Sequence, residues 1–263
     1  MAYIMEEMTV EEFADAQKKV KTVIIPVGCV EQHGYHLPLS VDLINAGELP
    51  RRAGDRLKAV VAPTVPYSFS GGELPGTVNV SPQVFALYLS DICTEFARMG
   101  FKNIVVMLGH GGTDNTFAAK SSLEILLRRH PHLRDVTFSV VEVFYLSPTW
   151  MELFTTGAER DFHAGTAETS LLMYWKPEIV RDKIVMDEPD IAKMMRTDQD
   201  WFEKREKLVD NDFIIPVVSQ RAEIKVGVMG FPDKASPELG EKICGEVVEG
   251  LVKFIDELEN RQI

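Results

Sequence analysis

Apolar residues along this chain fall into short unbroken runs and longer stretches at helical spacing. Residues 23–27 form a run with no polar interruption, four of its five residues β-branched, and residues 59–62 and 103–108 repeat the type. Such runs suit strands covered on both faces, as in a parallel sheet. Residues 136–143 alternate and then turn apolar, predicting a fourth strand, and residues 224–232 read as a further strand entering a turn. Between them lie helical patterns. Thr9 with Glu12 three residues on forms a capping box for a helix to about Lys19. Leu43, Ala46, Leu49, Ala53 and Leu57 recur at roughly helical spacing, with Pro50 as a kink or a start. Ser81 and Pro82 supply an N-cap and first-turn proline for a helix ending at Gly100, whose core face is expected to be Val84, Leu87, Tyr88, Ile92 and Phe96. Helices are also expected over residues 116–129, up to Trp175 before Pro177, and from Ser236 to about Asn260, the last facing inward with Ile243, Val247, Leu251, Ile255 and Leu258. Residues 144–150 read as an aromatic loop. Strand and helix alternate, so the expected fold is α/β: a three-layer sandwich on a mostly parallel central sheet, one domain over residues 1–263.

Composition narrows the partners. The chain has 263 residues, 45% of them hydrophobic and 26% charged, which is ordinary for a globular protein. Its net charge of −12 speaks against nucleic acid, which needs clustered Lys and Arg. No apolar run reaches the roughly 18 residues that span a bilayer, and the first residues are acidic where a signal peptide would be basic. A cytoplasmic protein without a membrane partner is expected. Cys29, Cys93 and Cys244 are odd in number and widely separated, which is no disulfide framework.

The candidate chemistry begins where the first predicted strand stops. Glu31 and His33 are two apart, so continued extension would point both side chains to one side, and Asp42 can close on them from the next turn. Oxygen and imidazole donors together suit zinc, manganese or iron, and a ligand set of these types without a cysteine is not expected to be a closed structural zinc site. Taken singly, His33 and His36 read equally well as ordinary surface or hydrogen-bonded histidines. The strand over residues 103–108 delivers Gly109, His110, Gly111 and Gly112 to the same kind of place, the carboxyl end of a strand, where open α/β sheets put their sites. A phosphate-cradling loop is the other reading of those glycines, although the Walker lysine is missing. Residues 64–80, rich in Gly, Pro, Ser and Thr, cannot be regular structure and are expected to lie over the site. Glu168 falls in a first helical turn, where the helix dipole favours acids without any function, but His163 just before it points toward a site. His130 and His132 lie outside the strand-end motifs and read as bystanders.

Several of these motifs, in this order, resemble the creatininase (creatinine amidohydrolase) family: Glu31-Gln32-His33-Gly34 with His36-Leu37-Pro38, Pro75-Gly76-Thr77, Gly109-His110-Gly111-Gly112, His163-Ala164-Gly165 with Glu168-Thr169-Ser170, and Gly227-Val228 with Pro232. The resemblance spans nearly the whole chain. It implies a parallel α/β sandwich, two divalent metal ions (zinc first, manganese or iron otherwise) and metal-activated water attacking a carbonyl of a small, often cyclic, amide. Hydrolysis of an inositol-derived cyclic diketone of the 3-dehydro-scyllo-inosose type, and a non-catalytic metal- or ligand-binding oligomer, are the alternatives. It further implies that Glu31, His33, Asp42, His110 and Glu168 are the ligands, with Asp42 bridging, and that His163 transfers a proton. His36, Ser70, Thr77, Thr113, Trp150 and Trp175 are the expected substrate contacts. A small-molecule substrate and a symmetric homo-oligomer, a hexamer among the options, complete the expectation. The chain departs from the family at Thr113, where Asn usually follows the glycines, at Phe231, where Asp usually precedes the proline, and in a residue 70–77 loop without the common Glu-His pair.

Overall fold

The computed structural model describes residues 3–261. Five strands form one parallel sheet: β1 (Tyr3–Ile4), β2 (Thr22–Val27), β3 (Val60–Val61), β4 (Asn103–Leu108) and β5 (Thr137–Glu142), in the spatial order β1-β3-β2-β4-β5. The central pair β2 and β4 are buried along their whole length and run in full register from Thr22 opposite Asn103 to Val27 opposite Leu108. Their alternate residues feed two cores. Val23, Ile25, Ile104 and Val106 pack with Phe85, Leu89 and Leu123 on one face, whereas Ile24, Val105 and Met107 pack with Leu49, Leu171 and Ile243 on the other. That two-sided demand for apolar surface explains the unbroken runs and fixes the three-layer α/β sandwich.

One layer holds α1 (Val10–Gln17), α3 (Pro82–Arg98) and α4 (Thr113–Arg129). The other holds α2 (Val41–Ala53), α5 (Pro148–Thr155), α6 (Thr166–Trp175) and α8 (Pro237–Glu259). α1 carries the expected capping box between Thr9 and Glu12, and α2 runs through Pro50. The inward face of α8 is the expected one, with Ile243, Val247, Leu251 and Ile255 fully buried.

Three expectations need correction. α3 turns Phe85, Leu89, Cys93 and Phe96 to the core and leaves Val84, Leu87 and Tyr88 exposed. The helix is apolar on two sides, and spacing alone picked the wrong one. Residues 144–150 are largely helical, because Ser147 caps α5 by accepting from the Trp150 N–H at 3.0 Å. Residues 224–232 make no strand. Their N–H groups go to carboxylates instead: Lys225, Val226 and Gly227 donate to Asp187 at 2.6, 3.0 and 2.7 Å, and Phe231 donates to Asp161 at 2.9 Å. Beyond the sheet, α7 (Pro189–Thr197) and an antiparallel hairpin of β6 (Glu203–Glu206) and β7 (Val217–Gln220) were not foreseen at all.

Two glycines let the site assemble. A Cβ on Gly28, just past β2, would sit 2.6 Å from the Leu43 backbone nitrogen, and one on Gly109, just past β4, would sit 2.1 Å from the Asp42 carbonyl oxygen. The first turn of α2 thus rests directly on both strand ends, and any side chain there displaces Asp42. Gly109→Ala is expected to cost about 1–3 kcal/mol, the usual range for overpacking a core. A thermal melt would show it as a fall of roughly 2–4 °C per kcal/mol.

Candidate metal centre

Four segments bring donor atoms to the carboxyl end of the sheet. The chain leaving β2 carries Cys29, Glu31 and His33; the first turn of α2 carries Asp42; His110 stands two residues past β4; and Glu168 sits in the first turn of α6, with His163 shortly before it. Cys29 and His33 are fully buried, Asp42 is 1% exposed, and Glu31, Glu168 and His110 are buried as well.

The carboxylate of Asp42 faces two ways. Its Oδ1 lies 3.5 Å from His33 Nε2, which also looks toward Glu168 Oε2 at 3.8 Å. Its Oδ2 lies 3.5 Å from His110 Nδ1, which meets Glu31 Oε2 at 3.0 Å. Asp42 therefore joins two adjoining donor sets. Supporting contacts fix the other donors: Ser70 donates its hydroxyl to Glu31 Oε1 at 2.7 Å, and the Ala164 N–H donates to Glu168 Oε2 at 2.6 Å. Ala164 is the one non-glycine residue with positive φ, +52°, among the described residues. A conformation of that kind costs on the order of 1–3 kcal/mol and persists only where its surroundings impose it.

The donor chemistry fits cations. His33 Nδ1–H donates to the Glu31 carbonyl at 3.1 Å, so Nε2, which is buried and has no hydrogen-bond partner, is the nitrogen left for a proton or a metal. That is the usual disposition of a metal-ligating histidine, one nitrogen anchored and the other offered. Burial disfavours charge on both His33 and His110, but the adjacent carboxylates outweigh it and hold both imidazoles well above the ordinary histidine range. Burial likewise opposes ionisation of Glu31, yet His163 and His110 bring its carboxyl down to about 2. Protons and cations thus compete for the same atoms, and cation affinity falls as the pH is lowered.

His163 stands beside this cluster. Its Nε2–H donates to the Gln32 carbonyl at 2.7 Å, which leaves the lone pair on Nδ1, 4.0 Å from Glu31 Oε1. The imidazole is 14% exposed and lines the cavity above the cluster. That cavity, about 120 Å³, has walls of Phe144, Trp150, Phe154, Phe162 and Met195. Phe144 and Phe154 stack at 4.9 Å between centroids and 10° between planes, and Phe162 meets Phe154 edge-on at 4.8 Å. At the open end lie Thr113, Asp114, Asp200 and Arg205, with Gln220 of the hairpin.

Of the expected substrate contacts, Ser70, Thr113 and Trp150 line the cavity and His36, Thr77 and Trp175 do not. His36 is fully buried, with Nε2 3.1 Å from the Thr169 hydroxyl, and burial lowers it to about 4, so it is a neutral strut for α6. Thr77 accepts the Gln32 N–H at 3.2 Å. Trp175 packs in the core on the α8 side under the Arg52 guanidinium. The hydroxyl of Thr113 donates to Asp200 and that of Ser70 to Glu31, and the cavity's other polar groups include Gln32, Asp114, Gln199, Arg205 and Gln220.

The expected ligand set lacks one donor. Cys29, read with the other cysteines only as no part of a disulfide framework, has its Sγ 3.0 Å from Asp42 Oδ2 and 3.5 Å from Glu31 Oε2. Its spacing, two residues before Glu31, places it on the same side of an extended backbone and could have revealed it. All three cysteines are free thiols.

The family model described as creatinine amidohydrolase matches residues 6–255. A creatinine amidohydrolase of Pseudomonas putida is 28% identical over 249 residues, covering 89% of this chain and 88% of that protein. A mycofactocin precursor peptide peptidase of Mycolicibacterium smegmatis is 31% identical over 245 residues, covering 88% of this chain and 83% of that protein. Among solved structures, a manganese creatininase superposes with a TM-score of 0.78 at 25% identity, covering 99% of this chain and 100% of that one. The match along the sequence and the shared sandwich agree, and the chain belongs to the creatininase family of hydrolases.

Proposed function

We propose that the protein hydrolyses the carbonyl–nitrogen bond of a small, flat amide, cyclic amides included, with two divalent cations held by Glu31, His33, Asp42, His110 and Glu168. The observation that carries this reading is the convergence of those donors on the floor of an aromatic-walled cavity, with a histidine lone pair facing them. Bound there, the cations would supply Lewis acidity and lower the pKa of water from 15.7 toward about 7. The rest falls to the chain's own groups. Phe144, Phe154, Phe162 and Trp150 hold the flat part of the substrate and exclude water, because a cavity of about 120 Å³ with such walls suits one small ring. His163, oriented by the Gln32 carbonyl, takes up a proton at Nδ1 and gives it to the departing nitrogen. Glu31, 4.0 Å away, stabilises the imidazolium in between. Ser70 keeps Glu31 pointed at both partners.

The aromatic walls suit a flat amide ring, whereas the hydroxyls of a polyol-derived diketone would have to turn toward Asp114, Asp200, Arg205 and Gln220 at the open end. A panel of lactams, cyclic ureas and linear amides beside a polyol-derived cyclic diketone, assayed on protein of known metal content, tests the reading. Turnover of ring amides is the expected result. Turnover of the diketone alone would replace amide cleavage by carbon–carbon hydrolysis on the same centre. Two bound ions and no turnover of any member would make the protein a binder.

A further inference from the structure

Two donor sets share Asp42, and they are not equivalent. On one side stand His33, Asp42 and Glu168; on the other stand Cys29, Glu31, Asp42 and His110. The second set contains a thiol that the proposed amide chemistry leaves without a task. We propose that Cys29 is a metal ligand, so that Cys29, Glu31, Asp42 and His110 form a closed, thiolate-containing subsite and His33, Asp42 and Glu168 form an open one. The inference rests on the metal-centre reading above and adds to it a fourth ligand and a division of labour.

Geometry carries it. Zinc bonds of about 2.3 Å to sulfur and 2.0–2.1 Å to nitrogen and oxygen place tetrahedral ligands roughly 3.3–3.5 Å apart. The separations here are 3.0 and 3.5 Å from Cys29 Sγ to the two carboxylates, and 3.0 and 3.5 Å from His110 Nδ1 to the same two. Every pair in the set lies within 4.8 Å. Independently of the thiol, His33 Nε2 is fully buried, lacks any partner and is aimed at the shared Asp42, so the cluster calls for a cation. Burial also matters, because Cys29 is shut off from solvent and its sulfur faces two carboxylates. A dication there takes the place of the thiol proton, which leaves to solvent.

Charge balance points the same way. Glu31, Asp42, Glu168 and a Cys29 thiolate carry four negative charges, which two dications cancel in a site where an uncompensated charge is expensive. A subsite with four protein ligands is saturated, whereas one with three keeps a position for water. The closed subsite would then hold its ion tightly and the open one would serve the reaction. Sulfur is a soft donor, so the closed subsite should also prefer zinc to manganese.

Cobalt substitution tests this without reference to turnover. Wild-type protein loaded with two equivalents of Co(II), checked by elemental analysis, is expected to show a thiolate-to-cobalt charge-transfer band in the near ultraviolet. Cys29→Ser should lose the band, and Cys93→Ser and Cys244→Ser should keep it. Cys29→Ser is also expected to bind its first zinc at least about 10–100-fold more weakly, as loss of even a supporting partner does, and to narrow the preference for zinc over manganese. A thermal melt shows that the serine variant is folded, and Cys29→Ala serves if it is not. Two cobalt ions without the band, or a band that survives in both Cys29 variants, would overturn the thiolate ligand and leave the metal centre standing. Failure of wild-type protein to bind cobalt at all would remove the metal centre itself.

Discussion

Asp42→Ala is expected to purify without its metal ions and to lose turnover by at least about 10⁴-fold, since the ions' main contribution is to bring the pKa of water from 15.7 to about 7. Asp42 belongs to both donor sets: Oδ1 faces His33 and Oδ2 faces His110. Removing it takes a ligand from each ion at once and removes the negative charge that separates two dications. It also leaves two buried imidazoles without the partner that favours their protonation. Asp42→Asn keeps the volume and the helix start, so a folded Asp42→Asn protein that binds little metal would assign the loss to charge. Elemental analysis beside a thermal melt decides the matter. Full metal occupancy in Asp42→Ala would show that the residue does not bridge.

His163→Ala separates binding from chemistry. It is expected to retain both ions and to lose turnover by about 10²–10⁴-fold, the usual worth of a positioned proton carrier. His163 hangs from the Gln32 carbonyl and presents its lone pair at 4.0 Å from Glu31, beside the ligand sets without being required by either. The wall of aromatic rings is untouched by the change, so KM should move far less than kcat. Metal content, kcat and KM measured on one preparation test all three statements. Loss of metal from His163→Ala would make the residue a ligand, and unchanged kcat would remove it from the reaction.

Much of this arrangement could be read from residues alone, and the failures have physical causes. The two central strands were legible because burial on both faces demands unbroken apolar runs, and the donors at their ends followed from that. Ser81-Pro82 and Ser236-Pro237 mark the starts of their helices by cap and proline together. The same pair at Ser147-Pro148 is masked by Phe144, Tyr145, Leu146 and Trp150, which read as an aromatic loop, yet it starts α5 and delivers Trp150 to the cavity. The hairpin that closes the open end escaped because its first strand, Glu203–Glu206, is wholly charged and shows no alternation. Trp175 was misplaced for a different reason. A tryptophan near a motif looks like a substrate clamp, but at the end of α6 its position is set by packing on α8. Cys29 is legible only against the acids beside it, because three widely separated cysteines say nothing beyond the lack of a disulfide framework.

The donors belong to segments that only the folded chain brings together: the exit from β2, the start of α2, the end of β4 and the start of α6. An unfolded chain offers a cation little more than Glu31 and His33 side by side. For the proposed cations nearly all the binding energy would therefore be withheld until folding is complete and would accrue to the native state by mass action, about 2.7 kcal/mol when free metal stands at a hundred times its dissociation constant. On that proposal the protein's durability is partly a property of its medium, and two batches of identical sequence purified from different growth broths should not be expected to melt alike.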